Sequence, residues 1–128
     1  MATFEIDGIS QLRAALERAK DRAAPAMAAA LLIEAEGAMR ESRELVPVDT
    51  GALRGSGIVL APEVTMTGVS VDFGYGGTAA DYAVIQHERT DLRHTVGQAK
   101  FLEQPVLQRA SGMGRRMATT VKKFLERR

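Results

Sequence analysis

The feature that most limits what this chain can become is a helical repeat covering its first third. From Ile9 onward, Leu12, Leu16, Ala19, Ala23, Ala26, Ala30 and Ile33 recur at three- and four-residue intervals, the spacing that lines one face of an α-helix. Arg13, Glu17, Lys20 and Asp21 fall between them, and Ala, Leu, Glu and Arg are all strong helix formers. Pro25 interrupts the run. An interior proline removes a hydrogen bond and clashes with the preceding turn at a cost of about 3 kcal/mol, so the pattern predicts a kink or break near Ala24, with helix resuming to about Glu44. Val46-Pro47 ends it, because the residue before a proline is driven away from helical angles. A chain that begins this way is not an all-β protein.

The period then changes. Thr3 to Ile6, ahead of the helix, alternates like a short edge strand closed by Asp7-Gly8. After it, Asp49-Thr50-Gly51 offers turn chemistry, and two strands are expected, Ser56 to Met66 and Val69 to Tyr75, joined through Thr67-Gly68. In the second, Val69, Val71 and Phe73 alternate with Ser70, Asp72 and Gly74, the mark of a half-buried strand. Pro62 places the first strand at an edge or at a bulge. Residues 74–78 read as a flexible glycine loop, about Ala80 to Glu88 as a short helix with Tyr82, Ala83 and Ile85 inward, and Arg89 to Gln98 as a polar loop. Leu102, Val106, Ala110, Met113, Met117, Val121 and Phe124 form a last helical stripe, bent where Gly112 and Gly114 each cost about 1 kcal/mol against alanine. The class is α+β: a long N-terminal Ala-rich helix broken near Pro25, a small antiparallel sheet, a short helix and a long C-terminal helix.

Composition narrows the function. At 128 residues the chain makes one domain, residues 1–128, with a modest core. It has no cysteine, which removes disulfides and thiolate-bound metals. Its longest apolar run, Ala26 to Ile33, is far short of the roughly 20 residues that span a bilayer, and the N-terminus lacks a basic flank and long apolar stretch. A soluble protein made in the cytoplasm, with no membrane partner, is expected. The net charge of +1 hides an imbalance: residues 1–46 carry −2, residues 47–96 carry −3 and residues 97–128 carry +6. Opposite charge on the two ends suits head-to-tail contact between copies, or contact of the C-terminal segment with an acidic partner.

Four groups of residues could carry chemistry. Val48-Asp49-Thr50-Gly51-Ala52 matches the Asp-Thr-Gly-Ala of retroviral-type aspartic proteases, which need two carboxylates sharing a proton and an all-β scaffold; following a long helix, the triplet reads as a turn. His87, Glu88, Asp91 and His94 are the only metal-like cluster, but their order is not the His-Glu-x-x-His of helical zinc sites, and a polar loop explains them. Gly74, Gly76 and Gly77 lack the spacing and the following Lys-Ser/Thr of a phosphate loop. Arg115, Arg116, Lys122, Lys123, Arg127 and Arg128 could meet phosphates, yet on a helix they spread around most of the circumference as a solvated face would, and no sequence-reading motif accompanies them. The residues by themselves give no catalytic, metal or cofactor site. They describe a structural or binding domain.

Three blocks in order carry a resemblance: residues 46–56, reading Val-Pro-Val-Asp-Thr-Gly-Ala-Leu-Arg-Gly-Ser; then Asp81-Tyr82-Ala83 with His87-Glu88; then Gly97-Gln98-Ala99-Lys100-Phe101-Leu102-Glu103-Gln104-Pro105. With an Ala-rich helix before them and a long helix after, the arrangement resembles the head–tail joining, neck or tail-completion proteins of tailed bacteriophages, over about residues 9–127. Two departures stand out. The family often continues Tyr-Ala with a Glu-Phe-Gly-Thr-like run where this chain has Gln86-His87-Glu88-Arg89-Thr90, and its proline precedes Phe-Leu where Pro105 here follows. The resemblance implies a non-enzymatic virion protein, assembled in the host cytoplasm. Copies would form a homo-oligomeric ring at the neck, between portal or connector proteins and the tail-terminator or tail-tube proteins, leaving a channel through which DNA passes without being read. A tail-terminator or minor capsid subunit is the alternative within the class, and an aspartic hydrolase using Asp49 the alternative outside it. Interaction or structural positions fall on Asp49, Thr50, Gly51, Leu53, Arg54, Tyr82, His87, Glu88, Lys100, Phe101 and Leu102. Asp49 and Thr50 would bond local backbone, Leu53 would anchor the turn, and Arg54 would reach a neighbouring subunit.

If Asp49 organises a turn rather than a reaction, Asp49→Ala lowers the melting temperature and impairs assembly. Calorimetry on that variant checks it: unchanged melting with normal assembly would contradict the structural role.

Overall fold

A computed structural model describes residues 2–46, 55–75, 82–88, 93–96 and 100–127. The order is β1 (Ala2–Glu5), α1 (Ile9–Ala19), a 3-10 turn (Lys20–Arg22), α2 (Ala23–Leu45), β2 (Gly57–Val59), β3 (Glu63–Val64), β4 (Gly68–Tyr75), β5 (Tyr82–Glu88), β6 (Arg93–Val96), α3 (Lys100–Arg109) and α4 (Met113–Glu126). The class is α+β, as the periodicities indicate. Helix α2 is the centre, packing on β4, α1, α3 and α4.

The helical break lies at Lys20–Arg22, upstream of the position expected from Pro25. Placing the break there puts Pro25 in the first turn of α2, where backbone N–H groups have no intrahelical partner and a missing one costs little. The 3-10 turn also resets the helical phase. Ala26, Ala30, Leu31, Ala35 and Ala38 face the core, whereas Ile33, in phase with the α1 stripe on paper, is 50% exposed.

The sheet is antiparallel and organised on β4. Strands β2 and β3 share one edge of it, and β5 pairs along the other. Gly57 pairs with Tyr75 and Val59 with Phe73, while Glu63 pairs with Ser70 and Val64 with Val69. Three residues therefore lie between the two ladders on the edge strand against two on β4, which is a β-bulge, and Pro62 sits in it. The extra residue switches faces: Ile58 shares the side of Gly74, away from α2, and Val64 shares the side of buried Val69. On that inner side Val69, Val71, Phe73 and Tyr75 are buried under α2.

Two expectations are overturned downstream. Residues 82–88 form strand β5, not a helix, and Arg93–Val96 forms strand β6 inside the stretch read as a polar loop, while β4 ends at Tyr75, the end expected for it. The free edge of β4 supplies backbone partners from Gly68 to Gly74 for all seven β5 residues, and the β-prone Tyr82, Val84 and Ile85 suit that edge. Part of the polar 89–98 stretch is also ordered: Arg93–Val96 pairs with β1, Glu5 against Arg93 and Ala2 against Val96. No local period announces a partner about ninety residues away.

The final stripe is split as its glycines suggest. Gly112, at φ 75°, opens α4 in the left-handed region, which L side chains avoid. The Asp7-Gly8 turn is laid on this junction. Asp7 N–H donates to the Ala110 carbonyl at 3.3 Å, Gly114 N–H donates to the Asp7 carbonyl at 2.8 Å, and the Asp7 carboxylate accepts from Gly112 N–H. A carboxylate there also favours the positive end of α4. At the other end Arg22 donates to the carbonyls of Phe124, Leu125 and Arg127, with its guanidinium 5.3 Å from the Phe124 ring centroid. Helices α1 and α4 therefore run side by side in the same direction, and residues bracketing α1 cap both ends of α4.

The approach at Gly114 leaves no room for a side chain: a Cβ would lie 2.4 Å from the Asp7 carbonyl oxygen. Gly114→Ala is expected to destabilise the fold by about 1–3 kcal/mol, as overpacking does, while Gly55→Ala, with nothing within 4 Å, serves as the near-neutral control in a denaturation series.

Candidate functional site

The sequence-derived positions separate into two groups. Asp49, Thr50, Gly51, Leu53 and Arg54 lie outside the described residues, as does Asp91. The ends of that first segment are fixed: Val46, extended at φ −72° and ψ 131°, is 1% exposed, and the Arg43 guanidinium donates to the Gly57 carbonyl at 2.9 Å. One arginine of α2 thus holds the start of β2. A Cβ on Gly57 would lie 2.9 Å from that Arg43 and 3.0 Å from the Met39 sulfur, so the clasp needs glycine.

Tyr82, His87 and Glu88 lie on β5, in register with Gly74, Val69 and Gly68, and His94 lies on β6 opposite Phe4. His87 and His94 therefore lie on two different strands, and a shared helical face for those histidines does not exist. Lys100 begins α3. Phe101 is half-buried with its ring edge-on to Tyr75, 5.3 Å between centroids at 72°, a favoured aromatic geometry. Leu102 is fully buried. These two side chains act as anchors that bring α3 onto the sheet.

The most polar interior feature is one the sequence reasoning missed. Glu34 on α2 is 2% exposed amid alanines. Its Oε1 accepts from Arg116 Nη2 at 2.8 Å and from Arg109 Nε at 3.3 Å, and its Oε2 accepts from Arg116 Nε at 3.2 Å. Arg116 thus grips the carboxylate with two nitrogens and also donates to the carbonyls of Ser111 and Arg109, while Arg109 reaches Glu41 at 3.5 Å. The hydrogen bond to Glu34, opposed by burial and helped by the charges of Glu34, Glu41 and Asp7, raises the Arg116 guanidinium above its ordinary value. A raised basic group adds stability that is full below its unfolded value and is lost as pH climbs through its folded value, so Arg116 stays charged throughout the working range. Gly37 makes the space, since a Cβ there would lie 2.5 Å from the Arg109 guanidinium carbon. The signal in the sequence was an acid four residues beyond Ala30 in the buried stripe, with a glycine three residues later. A second buried polar pair, the Ser42 and Tyr75 hydroxyls at 2.8 Å, joins α2 to β4.

Both Glu34 oxygens are occupied by guanidinium groups, so the cluster acts as a clamp between α2 and the α3–α4 junction. Among the described residues no group of three or more His, Asp or Glu side chains is placed to hold a metal ion, and no helix is long and apolar enough to cross a membrane. The accessible candidate is instead a surface. A cleft of about 530 Å³ opens between the α1–α2 corner and the β3–β4 hairpin, within the range of ligand and partner pockets. Its floor is apolar, from Leu16, Ala23, Met27 and Val69, and Val64 and Met66 form one lip.

Removing the clamp acid should show. Glu34→Ala leaves two arginines facing a dry gap, and about 3 kcal/mol of stability should be lost, the low end for breaking a buried pair because Arg116 is 41% exposed. Urea denaturation measures it; a loss below about 1 kcal/mol would mean the cluster is no more than a surface ion pair.

The chain matches no family model, no curated protein and no solved structure.

Proposed function

We propose that this chain is a structural subunit of a tailed bacteriophage, acting at the neck as a ring that joins the filled head to the tail. The observation that carries the reading is the order and spacing of the three blocks at 46–56, 81–88 and 97–105, bracketed by an Ala-rich helix and a C-terminal helix. The role proposed is non-enzymatic: copies of the chain contact one another, connector or head-completion proteins on one side and tail-terminator or tail-tube proteins on the other, and DNA passes through without sequence-specific contact.

Physical features support it. A ring closed by rotation needs two different patches on each subunit, and the chain carries −5 on residues 1–96 against +6 on residues 97–128, a contrast that the internal pairs of Arg109 and Arg116 with Glu34 and Glu41 reduce without cancelling. The chain also invests its buried ions and both caps of α4 in holding the C-terminal helix to the N-terminal half, which suits a subunit that must keep its shape under mechanical load. A tail-terminator or minor capsid subunit remains the second placement within the same class.

Mass spectrometry of purified particles should find the chain, electron cryomicroscopy should show it at the neck, and deletion of its gene should leave heads and tails unjoined. Infectious tailed particles from the deletion, with the chain absent from wild-type virions, would end the proposal. Detection on isolated tails but not on heads would move it to the terminator layer.

A further inference from the structure

The structure sorts the cations that the C-terminal sequence scatters. Helix α4 buries Met113, Met117 and Val121, and Arg116 turns to Glu34 on α2. On the other side Arg115 and Lys122 share one stripe, two turns apart and both exposed, with exposed Thr119 between them. That side borders α1: a Cβ on Gly8, at the head of α1, would lie 2.7 Å from the Arg115 backbone nitrogen. At the far end Arg22 reaches the carbonyls of Phe124 and Leu125. Arg18, one turn before Arg22 and also exposed, therefore lies on the side of α1 next to α4, whereas Arg13, Glu17 and Lys20 line the cleft on the other. Arg18, Arg115 and Lys122 thus flank the seam between two parallel helices, and among the described residues none of the three is in an ion pair. The neighbouring carboxylates stand at the ends of the strip: Glu126 closes the α4 stripe, Asp21 lies on the 3-10 turn, and Asp7 is bonded to Gly112.

We propose that this strip binds the phosphate backbone of duplex DNA without reading its sequence. Three like charges held on a rigid frame with no acid between them call for an anionic partner, and the apolar residues say which. The exposed large hydrophobic side chains among the described residues are Ile33, Leu45, Ile58, Leu60, Val64, Met66 and Leu107, and none of them is on α1 or α4. An acidic protein partner would need apolar or aromatic anchors at the centre of its contact, and a membrane surface would need an apolar helix face to take up; the apolar stripe of α4 is already spent on the core. A phosphate backbone needs only the charges. Arg115 and Lys122 are about 10 Å apart along the helix axis, a length over which duplex DNA presents about six negative charges, so all three cations can be neutralised by one stretch of duplex laid along the seam. The strip offers no side chain pair arranged to read a base edge, and its contact is with the backbone alone. It requires the charges and not the neck reading.

Fluorescence anisotropy of the full chain with short labelled duplexes of two unrelated sequences, over a salt series, tests it. Both duplexes should bind equally, and three phosphate contacts should give a logarithmic salt slope of about −3, a loss of about fortyfold in affinity between about 50 mM and 200 mM salt. Arg18→Gln, Arg115→Gln and Lys122→Gln should each make the slope shallower by about 0.9, and the triple variant should lose at least about tenfold in affinity at the low-salt end, with melting unchanged because all three side chains are in water. Arg13→Gln removes the same charge from the other side of α1 and should leave the slope as it is. Absence of binding at low salt, a strong preference for one duplex, a triple variant that binds like the wild type, or an Arg13→Gln variant weakened as much as Lys122→Gln would each overturn the proposal. So would tighter binding to polyglutamate or to phosphatidylserine vesicles than to DNA in the same series, which would assign the strip to an acidic protein or to a membrane surface. None of these results bears on whether the chain is present in virions, so the two readings fail separately.

Discussion

The fold turns on a single buried carboxylate. Glu34 lies on the face of α2 that the rest of the helix devotes to alanine, and a charge taken from water there is costly unless it is paired and hydrogen-bonded. Two arginines supply the pairing, one from the end of α3 and one from the first turns of α4. The requirement runs in one direction: α2 can bury its Glu34 only when the C-terminal third of the chain is in place. Small residues make the geometry possible, with Gly37 leaving room for the Arg109 head. Because Arg116 keeps part of its surface in water, its desolvation is incomplete, which favours a net stabilising clamp over the near break-even of a fully buried pair.

Around that clamp, the ends of the chain are tied together by complementary caps. Asp7 bonds the opening of α4 and Arg22 bonds its closing carbonyls, so the intervening α1 is held parallel to α4 by polar contacts at both ends and by apolar packing along its length. Each cap satisfies backbone groups that a helix end leaves without partners. The sheet is joined to the same centre by Ser42 and Tyr75 and by the Arg43 clasp on Gly57. The result is a tied frame from which one apolar turn, at Met66, protrudes, and the neck proposal draws on that frame.

Particular residues show why the sequence was legible in some places and not in others. Val69, Val71 and Phe73 announced β4 because an amphipathic strand has a period of its own, and Pro62 announced the bulge because proline cannot donate to a ladder. Residues 82–88 misled because a short apolar run such as Ala83-Val84-Ile85 fits helix or strand; the unpaired edge of β4 decided it. Arg93–Val96 gave no local sign, since its partner is β1. Among candidate positions, the structure places Phe101 edge-on to Tyr75 and buries Leu102. Glu34, Arg109 and Arg116 were passed over because each looks like an ordinary surface charge until three segments meet.

By itself the sequence determined the class: helical periodicity, a proline-marked break, one amphipathic strand and a glycine-split C-terminal helix, all properties of neighbours along the chain. It also determined the absence of cysteine chemistry and the charge contrast between the two ends. Tertiary structure decided which strand edges find partners, which face of α2 points inward after the 3-10 turn resets its phase, and which charges are buried. Those outcomes rest on contacts 8 to 20 positions apart between β4 and β5 and 75 to 105 apart in the Glu34 cluster and the Asp7 cap, where the free energy of pairing and burial, not local preference, selects among conformations that the sequence leaves nearly equal.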